Sequence, residues 1–428
     1  MVTIGNTTLP GVETTVESSR SIGVLIGSPG DVGIVGQANL KSGVAEPNTV
    51  YRVTTASRAR TWFGPGSPLA QNCIDALREG AFPVYAVAPE EHDVEGEEVD
   101  DVLQFGSFDN SSVSEHPDLI EFTVNGSDAD TVITYRDVES ENPGDGEVYV
   151  NPVSGEYHSY EAPDTDGIQV DYTHYDYESA IHTMADEEGD RIDFFACLTE
   201  DRDVVDEVHA SVKQMESNYE FAIAIAGAAG YIDNTSAYSN EYDSSRIQLI
   251  YPSRNADGES IVGSYVGLRS ALGMSASPMR KRLAGQRDLY HRLSVNEKED
   301  LVEARINPIS DESAGSRVVE DVTTVSPENS DENQMQQGIA RIVVDYVTLI
   351  VERNADAFIG ELHTRSARNT LQSIITSELK DLLTQSAITG YNVSVQEEDS
   401  MTASVDVGIQ TIKPLRNVLA TVTAGRTD

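Results

Sequence analysis

The strongest constraint on the fold lies in the last quarter of the chain, where two apolar stripes recur with helical spacing. Met335, Ile339, Ile342, Val343, Tyr346, Leu349 and Ile350 step by three and four residues, which places them on one face of an α-helix. Leu371, Ile374, Ile375, Leu379, Leu382 and Leu383 form a second stripe, and Gly390 is placed to end that helix in a left-handed conformation. Tyr391 to Val395, Thr402 to Thr411 and Asn417 to Thr423 then read as strands. Two helices and a small sheet that must bury these stripes make an α+β module over residues 331–428.

Ahead of it the pattern is that of an α/β sheet. Ile22–Ile26, Val32–Val35, Val50–Thr54 and Phe82–Val87 read as strands, with a helix over Pro68–Glu79. The glycines at 27, 30, 33 and 36 match neither the dinucleotide nor the phosphate-loop spacing, so they read as turn and close-packing residues. The same grammar resumes at Ile192–Leu198, a helix from Asp203, then Phe221–Ala226 and Ile247–Tyr251. A small-residue helix over Ile261–Met274 and a capping box of Ser294 and Glu297 follow. An α/β core is therefore expected over 21–89 and 189–309, interrupted by an acidic, mostly β insertion over 90–188 that faces outward. The acid-rich run from Glu90 to Asp101 reads as a solvated link, and residues 310–330 as a polar linker. Residues 1–20 cannot form a core alone; they are either a disordered terminus or an extended arm.

Charge narrows the function classes. The chain carries 72 acidic against 29 basic residues, a formal net charge of -43. Its lysines are Lys41, Lys213, Lys281, Lys298, Lys380 and Lys413. Acid spread along the chain with lysine nearly removed suits molar salt, where the Debye length is about 3 Å. Such a surface argues against a direct nucleic-acid partner or an anionic membrane. Arg280, Lys281 and Arg282 form a small basic cluster. No basic region followed by an apolar run opens the chain, and no apolar run is long enough to span a bilayer, so a soluble chain without a signal peptide or membrane insertion is expected.

The residues offer no recognisable catalytic constellation. No nucleophile elbow, zinc-protease motif or paired-cysteine motif is present, and Cys73 and Cys197 read as buried thiols. His174 and His182 lie near Asp171 and Asp176, but their spacing fits no zinc or calcium pattern. No enzyme activity, cofactor or metal is expected, and Trp62 reads as a core anchor.

Several motifs, in order along most of the chain, resemble the tail sheath proteins of contractile phages and related contractile injection systems. They are Leu9-Pro10-Gly11-Val12, the Gly23–Gly36 strand and turn, Phe63-Gly64, Gly80–Val87, Leu249-Ile250-Tyr251-Pro252, the Ile261–Gly273 helix, Leu301–Asn307, Val351-Glu352-Arg353-Asn354, Ala387–Tyr391 and Pro414–Val422. Glu13 stands where a tyrosine is common, Ser253 where a tryptophan is usual, and Arg305 where the family has glycine.

The resemblance implies a helical homo-oligomer of stacked rings around an inner tail tube protein, bounded by baseplate and tail terminator proteins. It implies that subunits are linked by strand exchange. The N-terminal arm would use Val2, Thr3, Ile4, Pro10, Gly11 and Val12; the C-terminal arm would use Asn417, Val418, Leu419, Ala420, Thr421 and Val422. Contraction would drive the tube through a target envelope, from a virion tail or a contractile particle assembled in the host cytoplasm. The alternatives are another structural polymer or a salt-adapted soluble enzyme.

Overall fold

The computed structural model describes residues 2–3, 15–16, 30–99, 104–164, 167–186, 192–274, 276–330 and 332–414. The expected strand Ile22–Ile26, the arm residues Ile4, Pro10, Gly11 and Val12, and the final strand Asn417–Thr423 lie outside them.

Short runs of continuous apolar residues build the centre. Val32–Val35, Val84–Val87, Phe194–Cys197, Ile223–Gly227 and Ile247–Tyr251 are buried along their whole length, as strands covered on both faces must be. They are parallel neighbours in a sheet that continues through Asn307–Ser310. Tyr51–Val53 and Arg317–Val318 add an antiparallel strand at each edge. Side chains alternate between two cores, as a two-residue period requires. Val32, Ile34, Phe194 and Ala196 meet the helices Pro68–Glu79 and Val262–Leu272. Val35, Phe195 and Cys197 meet Glu178–Ala185, Arg202–Ser217 and Val295–Glu303.

The expected small-residue helix packs as its composition suggests. A Cβ at Gly263 would lie 2.4 Å from Asn72 O, and one at Gly267 would lie 2.6 Å from Ala76 Cα. The two helices therefore touch backbone to backbone.

Between the second and third parallel-strand segments of the sequence, a separate seven-stranded sheet is inserted. Its order is Glu90–Val99, Ile168–Asp176, Ile120–Val124, Ser127–Ile133, Glu147–Asn151, Glu156–Ser159 and Phe105–Ser107. Phe108, Phe122, Tyr157, Ile168 and Tyr172 fill its own core. Two expectations need correction here. The acid-rich run from Glu90 is an edge strand rather than a link, paired antiparallel with Ile168–Asp176. Backbone pairing supplies its stability, while its charged side chains keep the edge solvated. The helix Glu178–Ala185, assigned to the insertion from composition, buries Ala180, Ile181 and Met184 in the central α/β core.

Residues 310–330 also differ from the expected linker. Val318, Val322 and Val325 are buried, as are Thr323 and Thr324. Asn307 ties this segment to the central sheet: its Nδ2 donates to Val322 O at 2.8 Å and to Leu249 O at 3.1 Å, and Val322 N donates to its Oδ1 at 2.6 Å. A polar segment is compatible with burial where such internal partners replace water.

The C-terminal module contains the helices Gly338–Asp356 and Arg365–Thr384 and the antiparallel strands Ile388–Glu397 and Ala403–Thr411. The second helix ends earlier than expected. Ser386, at φ 57°, is the left-handed residue after it, and Gly390 lies within the following strand beside a register shift.

Candidate assembly site

The strand pair of this module is built from a strict alternation. Tyr391 faces Ile409, Val393 faces Val407 and Val395 faces Val405, so all six share one face. That face packs on the helix pair. Asn392, Ser394 and Gln396, opposite Gly408, Asp406 and Ser404, take the other face. Among the described residues neither strand has a second strand neighbour, which leaves each outer edge a place where a further strand could pair. A two-stranded sheet is marginal without further strands or a packed face.

Four of the seven large apolar side chains that are exposed among the described residues belong to the same module. They are Ile359, Leu362, Leu383 and Met401, with Leu362 and Met401 more than four-fifths exposed at 81% and 88%. Tyr346, Leu349, Ile350, Glu352 and Arg353 line a groove of about 200 Å³ on the first helix. Burial raises the Glu352 carboxyl above its usual range.

Of the sequence-derived arm residues, Val2 and Thr3 pair antiparallel with Val16 and Thr15. The remaining arm residues of both termini lie outside the described set.

Two buried ionic networks tie the modules together, and neither was singled out from the sequence. Arg246, at the start of the Ile247–Tyr251 strand, grips Asp345 of the Gly338–Asp356 helix with both terminal nitrogens at 2.7 Å. Its Nη2 also reaches Glu216 Oε1 at 2.6 Å, and Arg341 completes the group through Asp345. Burial pushes Glu216 upward, but Arg246 beside it, by charge and by hydrogen bond, holds its carboxyl below the usual range.

The second network lies at the carboxyl ends of the parallel strands. Arg254 donates from Nε and Nη2 to Glu200, with Nη2 at 2.6 Å from Oε2. Nη1 and Nη2 reach Glu115 at 2.9 and 2.8 Å, and Nη1 reaches the Tyr135 hydroxyl at 2.9 Å. The guanidinium also stacks 3.8 Å from the Tyr135 ring centroid. Burial raises the Tyr135 hydroxyl far above its usual range. Ser253, where a tryptophan was expected from the resemblance, donates to Glu200 at 2.6 Å. Open α/β sheets bind ligands at this end, where strand order reverses. Here that reversal falls between Val32–Val35 and Phe194–Cys197, and the Arg254 network fills the ground beside it.

The other candidates resolve individually. His174 stacks on His92 with ring centroids 5.2 Å apart, whereas His182 lies 3.3 Å from Glu207 on a different element. Among the described residues no group of three or more metal-ligating side chains converges. Cys73 and Cys197 are buried thiols, the latter pushed up to about 12 by burial. Trp62 is half-buried beside Tyr51, with ring centroids 5.1 Å apart. No helix among the described residues is long and apolar enough to cross a membrane. Arg305 adopts φ 63°, the left-handed conformation that a glycine would favour at that step.

No family model and no curated protein matches the sequence. Solved structures do match, along nearly the whole chain. A chain of the anti-feeding prophage helical sheath in its contracted state is similar at 15% identity and a TM-score of 0.59, covering 98% of this chain and 99% of that one. A chain of the PVC extracellular contractile injection system sheath complex, also contracted, gives 12% identity and a TM-score of 0.59, with 98% of each chain covered. The sheath tail protein of Listeria innocua gives 12% identity and a TM-score of 0.55, covering 90% of this chain and 96% of that one. The chain has the fold of the sheath proteins of contractile tails and injection systems.

Proposed function

We propose that this chain is the structural subunit of a contractile sheath, in a virion tail or an injection particle. It polymerises as a helical cylinder of stacked rings around an inner tube, and contraction drives the tube through a target envelope. The observation that carries this reading is the near end-to-end likeness to a sheath chain from a contracted helical assembly. Among the described residues the C-terminal strand pair has no further strand on either edge, which also supports it.

In this reading the linkage is strand exchange onto those edges. One arm is Val2 to Val12 and the other is the segment from Asn417, each laid on a neighbouring copy. A backbone hydrogen bond contributes about 0.5–1.5 kcal/mol net, while ordering an arm costs about 1–2 kcal/mol per residue. A single arm therefore binds weakly, and two arms per subunit in a lattice bind strongly through multivalency. The buried Arg246 and Arg254 networks favour modules that rotate together as one body. The inner tube, baseplate and terminator proteins are the further partners, and the subunit acts without catalysis.

Electron microscopy of the purified full-length chain at high salt tests this. Hollow cylinders are expected. Deleting residues 1–12, or the chain from Asn417 onward, is expected to leave a folded subunit that forms none. Long cylinders from either truncated chain would refute the strand-exchange linkage, and monodisperse globules from the intact chain would refute the polymer.

A further inference from the structure

One segment interrupts the acidity of this surface. Between Met279 and Arg292 lie Arg280, Lys281, Arg282, Arg287 and Arg292, five of the 29 lysines and arginines, against a single acid, Asp288. All five cations are exposed. None forms an ion pair among the described residues, whereas their neighbours Arg78 and Arg317 pair with Asp75 and Glu312.

The segment is fixed in place. Arg280 N donates to Val318 O at 2.8 Å, Val318 N to Lys281 O at 2.9 Å, Leu283 N to Ser316 O at 3.0 Å and Tyr290 N to Arg254 O at 3.1 Å. Leu283 and Leu289 are buried beneath it. The cations thus stand on a backbone that is already ordered, which lowers the entropy lost on docking.

We infer that this basic segment docks against a carboxylate-bearing surface of a second copy of the chain. Even where salt leaves only about 3 Å unscreened, surfaces of a chain with a formal net charge of -43 bring carboxylate against carboxylate when they touch. Fixed cations at the point of contact turn that repulsion into attraction and set the register of the two surfaces. A nucleic acid fits less well, because a polyanion must approach a strongly anionic body to reach five cations. The inference rests on the polymer reading above.

Lys281 is one of six lysines, so it is also a specific chemical probe. Cylinders grown from equal parts of nitrogen-15-labelled and unlabelled chain are treated with a carbodiimide, which couples amines directly to carboxylates. Mass spectrometry is expected to find Lys281 joined to an aspartate or glutamate of the other isotope population, and only after assembly. Lys281→Arg removes the cross-link and keeps the cylinders. The triple variant R280E/R282E/R287E keeps its circular dichroism spectrum but requires about tenfold more protein to assemble. Cylinders in which Lys281 joins no other copy, or a triple variant that assembles like the parent, overturn the inference and leave the polymer reading intact. Absence of cylinders from the parent chain overturns both.

Discussion

Both terminal nitrogens of Arg254 reach Glu115, at 2.9 and 2.8 Å, across the junction between the central sheet and the inserted one. Arg254 is fully buried and also neutralises Glu200. Removing the cation leaves two carboxylates with little access to water. Arg254→Leu is expected to destabilise the chain by about 3–5 kcal/mol, measured by chemical denaturation. Hydrogen exchange should rise first at the junction of the two sheets. An unchanged midpoint would mean that the network holds nothing together.

Gly267 offers a test in which two effects have opposite signs. In an open helix position, Gly→Ala stabilises by about 1 kcal/mol. Here the added methyl would lie 2.6 Å from the Ala76 backbone. Gly267→Ala is therefore expected to destabilise by about 1–3 kcal/mol through overpacking. A rise in melting temperature would show that the helix contact is looser than described.

Glu79 predicts a pH dependence. It accepts a hydrogen bond from Ala284 N, and burial pushes its carboxyl from 4.5 up to about 7. The folded chain binds this proton more tightly than the unfolded one does. The resulting stability is present below about pH 4.5 and is lost as pH rises through 7. Glu79→Gln removes this dependence. The melting temperature of the variant relative to the parent should climb between pH 4.5 and 7 and then level off. A constant difference across that window would rule out Glu79 as the titrating group.

The acidic surface predicts a salt requirement. At 0.1 M salt the Debye length is about 10 Å, against about 3 Å at 1 M. Unscreened repulsion among 72 acidic residues should then loosen the chain. Circular dichroism melts are expected to shift down as potassium chloride falls from molar to 0.1 M. Equal melting temperatures at both ends would remove salt adaptation as the reason for the composition.

Patterns set by local physics were legible in the sequence. Pro68–Glu79 and Ile247–Tyr251 occur with the bounds that their apolar spacing and flanking residues dictate. The Ser294–Glu297 capping box forms in both directions. Elements whose environment depends on distant partners were not legible. Glu90–Val99 has the composition of a link, and only its neighbour Ile168–Asp176 makes it a strand. Thr323 and Thr324 look solvent-facing until the acceptors that satisfy them are known. Glu115, Glu200 and Glu216 were lost among so many other carboxylates; only burial next to an arginine distinguishes them.

The alternation along Ile388–Glu397 and Ala403–Thr411 has a mechanical meaning. Apolar residues recur on one face at every second position, so a strand added to either edge can match that face only in steps of two residues. Each step is about 7 Å along the strand. A slip of a single residue would turn the newcomer's apolar side chains toward water. A joint made on this edge therefore has notches: it holds its setting under load, and it can change only by letting go.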